Sequence, residues 1–410
     1  MVPDTLYDLA FTFRKTKLWL KLNDAQLFAV RHSDGTTGYC CVMGMLGEHI
    51  AMAVYPDDAG LYAYQRMLDP SIMQDSFEYN ECMVSQNCVM VSFQNKSELS
   101  KRELEEVNAY IRSHSVNPRG KKAFPQFERH RPRRCISLLS DETDQLHLKE
   151  ALEAAIYVSE QLTLRVPEAL GFTEGLPFNR QIPLIERKDG ACVLSAMDLG
   201  KRRTAHYSSP RITDELSLAK LKKCKATDKI WVCDIFVHMT PVYDENPEQH
   251  DAGKPDEAPY FPYLLVFADN DSHFIFNFQF LKELDASNAL FNQLIDIVQQ
   301  YGKPAQIWVA NARAKTFFQN IAQQLGAKLI LKKHLPILEE IKEQMLVEFS
   351  DQDETNEQTE ALMLDYLMDP SVYDSMPEDI LMILKRETKN CGLPQEIVTL
   401  VDRECRKRGL

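Results

Sequence analysis

Residues 229–349 constrain this chain more than any other stretch, because their apolar periodicity changes from that of strands to that of helices in a fixed order. Residues 229–240 alternate, with Ile230, Val232, Asp234, Phe236 and His238 on one face and Trp231, Cys233, Ile235, Val237 and Met239 on the other. Residues 260–268 are a near-continuous apolar run, and Asp269, Asn270 and Asp271 turn it into residues 272–280, where Phe274, Phe276, Phe278 and Phe280 share a face. Leu290, Leu294, Ile297, Val298 and Tyr301 then repeat at helical spacing up to Gly302. Residues 306–309 read as a short strand. Phe317, Phe318, Ile321 and Leu325 form the apolar side of a helix ended by Gly326, and residues 328–331 are a fifth strand. Pro336 suits the first turn of a last helix built on Leu338, Ile341 and Met345. The expected order is three strands, helix, strand, helix, strand, helix.

That order resembles the ribonuclease H-like fold, and the local wording is similar to the catalytic core of retroviral-type integrases and transposases. Trp231-Val-Cys-Asp234 stands where that family has a Trp and its first catalytic Asp. Ala268-Asp-Asn-Asp-Ser272 resembles its turn after the second strand. Tyr301-Gly-Lys-Pro304 and Gln306-Ile-Trp-Val-Ala-Asn311 resemble its Tyr-Gly-x-Pro and the strand leading into Asp-Asn-Gly. The family's second catalytic Asp, however, falls on Ala310 and its Gly on Ala312, and no carboxylate in residues 335–349 is placed as the third. The resemblance implies the fold and argues against the chemistry.

A chain of 410 residues can bury several cores. The boundaries expected are an α/β domain over residues 1–165, a second over 166–350 with its ribonuclease H-like core at 229–349, and an acidic linker with a helical tail over 351–410. The net charge of −13 disfavours generic affinity for nucleic acid or acidic membrane. No apolar run reaches membrane-spanning length and no basic segment leads into a signal-peptide core, so a cytoplasmic location without membrane association is expected. The ten cysteines form no Cys-x-x-Cys pair, and Cys88, Cys192 and Cys233 lie in apolar strands, as reduced structural thiols do.

The first half opens with a helix over residues 6–22, followed by a three-stranded meander (27–32, 39–45, 49–55) and a helix around 61–68. A strand at 88–93 and the capping box Ser100/Glu103 come next, then a basic segment and a long helix over 143–162. This repeats the order of the second half, so two ribonuclease H-like domains are expected. Leu6-Tyr-Asp-Leu-Ala10, the stretch 39–48 and Pro125-Gln-Phe127 with Arg131 and Pro132 resemble an uncharacterised bacterial family known as domains of unknown function; the match implies architecture and a bacterial source only. A hairpin over 182–187 and 191–199, turning at Lys188-Asp-Gly190, is expected to extend the second sheet or cover its edge. Residues 244–259, with six acids and three prolines, read as a surface loop, and residues 351–360, with five acids and no base, as a linker. Leu362, Leu364, Tyr366 and Leu367, then residues 380–384, then Ile397, Leu400 and Val401 give the tail its helical pattern.

Three constellations carry chemistry. Asp234 with Asp269 or Asp271 is a candidate carboxylate cluster; a two-metal nuclease would need such groups converging on Mg²⁺ or Mn²⁺ about 4 Å apart, and this is the only cofactor the sequence suggests. His238 shares the Asp234 face and is a candidate general base. Arg119, Lys121, Lys122, Arg129, Arg131, Arg133 and Arg134, interleaved with Phe124 and Phe127, have the composition that single-stranded nucleic acid asks for; Lys201-Arg-Arg203 and residues 222–225 are candidates to join them. No glycine-rich phosphate loop, nucleophile elbow or His-Glu-x-x-His is present. The reading that best fits is a non-catalytic interaction or regulatory module with an unidentified protein partner. Its alternatives are a nucleic-acid-binding protein acting through residues 119–134 and a metal-dependent nuclease.

Overall fold

The computed structural model describes residues 2–350, apart from 48, 71, 73–75, 205–206, 244–257, 285–287 and 333, together with residues 373, 381, 385 and 395–408. The chain divides into two compact units, Met1–Leu338 and Glu339–Leu410. The first contains two mixed α/β sheets.

The larger sheet is built on β1 (Phe28–Arg31), β2 (Thr37–Met43), β3 (Ala51–Pro56), β4 (Cys88–Gln94), β5 (Phe124–His130), β6 (Ser137–Leu138), β7 (Gln181–Lys188) and β8 (Ala191–Asp198), in the order β6-β5-β4-β3-β2-β1-β7-β8. Alternation sorts its side chains. Phe28, Val30, Cys40, Val42, Met52, Val54, Val89 and Val91 join one core with α1 (Asp4–Thr16), α4 (Lys101–Ser113) and α5 (Glu142–Leu164). Ala29, Tyr39, Cys41, Ala51, Ala53, Cys88 and Met90 join a second core under α2 (Asp57–Met67). Cys40 and Cys41 thus face opposite cores, and burial raises both thiols, as befits small apolar side chains. Ser100 and Glu103 form the expected capping box of α4, and Asp141 caps α5 by accepting from the amides of Thr143 and Asp144.

The smaller sheet has β9 (Ile230–Val237), β10 (Tyr263–Asp269), β11 (Ile275–Leu281), β12 (Gln306–Val309) and β13 (Lys328–Leu331) in the order β11-β10-β9-β12-β13. β10 is antiparallel to β9 and β11, while β12 is parallel to β9 and β13. Trp231, Cys233, Ile235, Leu265 and Phe267 pack in one core with Leu221 of α6 (Glu215–Lys223), Leu294 and Val298 of α7 (Asn288–Tyr301) and Phe317, Phe318 and Ile321 of α8 (Ala312–Leu325). Gly302, at φ +87°, ends α7; a Cβ there would meet the Thr227 side chain at 2.6 Å, so the position needs glycine twice over.

Three expectations are corrected. The first half does not repeat the second: β4 pairs antiparallel with β3, whereas β12 pairs parallel with β9. The cause is a second helix, α3 (Ser76–Val84), after α2; its weak amphipathicity hides it in the sequence. Two helices return the chain to the end of the sheet it left, and the next strand then runs antiparallel. The hairpin β7–β8 joins the first sheet, through parallel pairing of β7 with β1, and not the second. The four phenylalanines of residues 274–280, three of them in β11, do not share a face, because a register shift opposite Phe267 and Ala268 inserts Phe276. Phe276 packs on Trp231 and Tyr301, while Phe274, Phe278 and Phe280 stay exposed.

In the second unit, α9 (Pro336–Ser350) crosses the boundary, and α10 (Gln395–Arg408) buries Ile397, Val401 and Cys405. Arg408 donates to the carbonyl of Tyr373 and pairs with Glu404. The expected loop at 244–257, the linker at 351–360 and Leu362, Leu364, Tyr366, Leu367, Ile380, Ile383 and Leu384 lie outside the described residues.

Candidate functional site

The candidate carboxylates do not converge. Asp234 is fully buried opposite Val266, whereas Asp269 lies opposite Trp231, three positions along β10. An odd offset puts the two side chains on opposite faces, about 10 Å apart along the strands. Asp234 faces the end of β12, where the amide of Asn311 donates to its Oδ1 at 2.6 Å and the Ile235 N–H donates at 2.9 Å. Asn311 also caps α8, its Oδ1 accepting from the Ala314 N–H at 2.8 Å. A buried carboxylate is tolerable here because an amide and a helix N-terminus meet it. Asp269 organises its turn: Oδ1 accepts from the amides of Asp271 and Ser272, both at 2.9 Å, and Oδ2 pairs with Lys229 at 3.3 Å. Burial raises its pKa, but these donors outweigh burial and hold it below the ordinary value. Asp271 is exposed in the turn. His238 is buried against Phe280, and burial lowers its pKa.

The basic tract is divided. Arg129 donates to Asp144, Asn87 and the Cys88 carbonyl, and Arg131 also pairs with Asp144. Arg133 and Arg134 tie the first sheet to the second. Arg133 donates to the carbonyls of Phe261 and Lys282 and pairs with Glu283 at 2.8 Å, its guanidinium 4.0 Å from the Tyr263 ring. Arg134 donates to the Ala258 carbonyl at 2.8 Å and bridges to Tyr260. Arg119 and Lys121 are exposed and Lys122 half-buried, and Arg14 donates to the Lys121 and Lys122 carbonyls.

Arg133 and Lys201–Arg203 meet at a cleft of about 940 Å³ between the two sheets. Residues 222–225, the other candidate to join the tract, do not line it. One wall is α2, where Asp58, Tyr62 and Arg66 lie one turn apart on the side opposite Leu61 and Tyr64. The opposite wall carries Tyr263, Glu283 and Arg313, and residues 201–204, 207 and 208, the strap, line one side. The strap is fastened to α2 by reciprocal hydrogen bonds between Gln65 and the Arg203 backbone, and by Arg203 to Asp58 at 2.7 Å. Farther along, Ser208 Oγ donates to the Leu284 carbonyl.

Among the described residues, six cations (Arg66, Arg133, Lys201, Arg202, Arg203, Arg313), of which Arg66 also pairs with Glu78 and Glu81, and two acids (Asp58, Glu283) line the cleft. The acids sit at its rim. Glu283 is 65% exposed beside an Arg133 that is 10% exposed, and Asp58 is 75% exposed beside an Arg203 that is 26% exposed. Behind the wall, Glu81 forms a buried two-point pair with Arg313; burial raises the Glu81 carboxyl, and the guanidinium outweighs it and lowers it. Arg313 also lies over Tyr263 and Tyr207, at 5.3 and 5.8 Å from the ring centres. Burial, reinforced by the neighbouring Tyr207, pushes Tyr62 up to about 12, so its hydroxyl stays a hydrogen-bond donor. Sequence reasoning missed Tyr62, Arg66, Tyr207, Tyr263 and Arg313. The spacing of Asp58, Tyr62 and Arg66 on one helix face was the available signal.

Among the described residues, no helix is long and apolar enough to cross a membrane, and no group of three or more His, Cys, Asp or Glu side chains is arranged to hold a metal ion. Residues 4–175 match a family model described as a domain of unknown function (DUF7309), and residues 217–346 match a second, also described as a domain of unknown function (DUF6930). The chain therefore carries two domains of unknown function. The hairpin β7–β8 and the strap 201–208 fall between the matched stretches. No curated protein matches the chain.

Proposed function

We propose that this protein is a cytoplasmic, non-catalytic binding or regulatory module, whose second sheet is a ribonuclease H-like core without the chemistry of that fold. The strand order of that sheet, its antiparallel second strand and its parallel fourth support the fold reading. Fold alone supplies no activity, so the argument rests on the site. The observation that carries it is the clasp of Asp234 by Asn311, with Asp269 on the opposite face. A two-metal centre needs several carboxylates on one side of the sheet, and Ala310 follows β12 where a second one would stand. Nucleic-acid binding through residues 119–134 is less well supported, because Arg129, Arg131, Arg133 and Arg134 are engaged inside the protein. The test is incubation of the purified chain with Mg²⁺ or Mn²⁺ and RNA, DNA or an RNA–DNA hybrid. No cleavage is expected; cleavage abolished by Asp234→Asn would overturn the reading.

A further inference from the structure

We infer that the cleft between the two sheets binds a small ligand carrying a chain of two or more phosphate groups, with a nucleoside polyphosphate as its best-fitting form. The inference rests on reading the protein as a binding module and names what that module takes. Size is the first argument. A cleft of about 940 Å³ is at the large end of small-molecule sites and holds a ligand of nucleotide size.

Charge is the second. Of the six cations, Arg66 and Arg313 pair with Glu78 and Glu81, and Arg133 and Arg203 with the rim acids, so the excess among the described residues rests on Lys201 and Arg202. Two positive charges exceed what a single carboxylate or monoanion neutralises, and the complementary ligand is a polyanion. Five of the six are arginines, whose planar forks match phosphate oxygens two at a time. The arrangement matters as much as the count. Both acids stand at the rim with most of their surface in water, while Arg133 and Arg203 lie deeper. An incoming phosphate meets Lys201 and Arg202, both exposed and without an acidic partner among the described residues. Deeper in, it competes with Glu283 for Arg133.

Chemistry of the walls is the third argument. Tyr62, Tyr207 and Tyr263 line the cleft and bring hydroxyl groups to a base or sugar, while the Tyr207 and Tyr263 rings lie against Arg313 and Arg133. With only 15 glycines and no glycine-rich loop, the chain has no backbone cradle for phosphates. Side chains from α2, the strap and the second sheet take that role. The overall charge of −13 opposes anions at long range, and the local excess in a concave, low-dielectric site outweighs it at contact distance.

The experiment is titration calorimetry on the full chain at fixed ionic strength, with inorganic phosphate, sulfate, inorganic triphosphate, each ribonucleoside triphosphate and single-stranded oligonucleotides as probes. The triphosphates should bind and the single anions should not. Tighter binding of a nucleoside triphosphate than of inorganic triphosphate identifies the nucleotide as the source of the phosphate chain, and equal affinity identifies the inorganic chain. The double variant Lys201→Ala/Arg202→Ala should weaken binding by about tenfold or more, the loss of at least one charge-assisted contact, with an unchanged thermal midpoint. Glu283→Gln should tighten it several-fold by freeing Arg133, an effect that a purely structural pair would not give. Absence of triphosphate binding overturns the proposal, as does binding that neither variant changes. A response confined to single-stranded oligonucleotides and lost on removing Arg119 and Lys121 overturns it as well. Turnover of the bound triphosphate would instead sink the non-catalytic reading while leaving the site in place.

Discussion

The tract at 119–134 and the strap at 201–203 are both basic, yet the fold uses them in opposite ways. In the tract, Arg129, Arg131, Arg133 and Arg134 find carboxylates and carbonyls on neighbouring strands and loops, and two of them join the sheets together. In the strap only Arg203 is tied to an acid, through Asp58, and to Gln65, while Lys201 and Arg202 are exposed and Arg202 lies over the Phe178 ring. The denser run of charge is therefore mostly structural, and the sparser one is available. What decides is whether a cation lies where two elements pack, since burying it unpaired would be costly.

The largest expected effect sets the reference for a structural cation. Arg313→Met takes the two-point partner from buried Glu81, leaving it the longer 4.0 Å contact with Arg66, and should destabilise the chain by roughly 3 kcal/mol in denaturant unfolding. A loss below about 1 kcal/mol would show that Glu81 is readily hydrated. Next comes Arg133→Met. It strips charge-assisted bonds from the carbonyls of Phe261 and Lys282 and should cost about 2 kcal/mol. If it unfolds the chain no more readily than a surface substitution, the tract is not the joint described above.

Acid should sharpen the comparison further, because arginines do not titrate and the buried histidines do. His32 and His238 are both held below the ordinary histidine value, in each case first by burial. On acidification the unfolded chain takes up these protons first, so stability falls as pH drops below about 6.5. Asp269 and Glu81, with lowered values, add a further loss as pH falls through them below about 4. Thermal midpoints at pH 7.5, 6 and 5 should decline in that order; a flat profile would contradict the burial of these rings. The smallest effect is expected from Lys201→Ala/Arg202→Ala and Arg119→Ala/Lys121→Ala, each within about 0.5 kcal/mol of the parent. A larger loss in either would mean the exposed cations are also structural.

Much of the second sheet was legible in the sequence, because alternation and helical spacing there follow one another without ambiguity. Residues 306–309 and 328–331 are strands with the bounds their apolar runs suggest. The first sheet was legible as elements but not as pairings. α3 has little amphipathic signal, and without it the direction of β4 cannot be inferred. The parallel pairing of β7 with β1 joins residues about 150 apart, beyond any local pattern. The cleft was legible only in parts: its cations at 201–203 stood out, but Tyr263 and Arg313 reach it from strands and helices that read as ordinary core. The face on which Asp269 projects follows from a register that one strand alone does not reveal.

The Asn311 side chain has a consequence for how this protein can change over time. Its oxygen caps α8 and its nitrogen holds Asp234, so one amide serves a helix and a buried carboxylate together. An Asp at 311 would keep the cap but set a second acid against Asp234, and like charges at that distance cannot both stay ionised. A Ser would keep the cap but lacks the reach. Loss of the carboxylate at 234 would in turn release 311 to any capping residue. The two positions are thus expected to drift as a pair: wherever descendants of this sequence keep an acid at 234 they should keep an amide at 311, and an alignment showing the two varying independently would break that link.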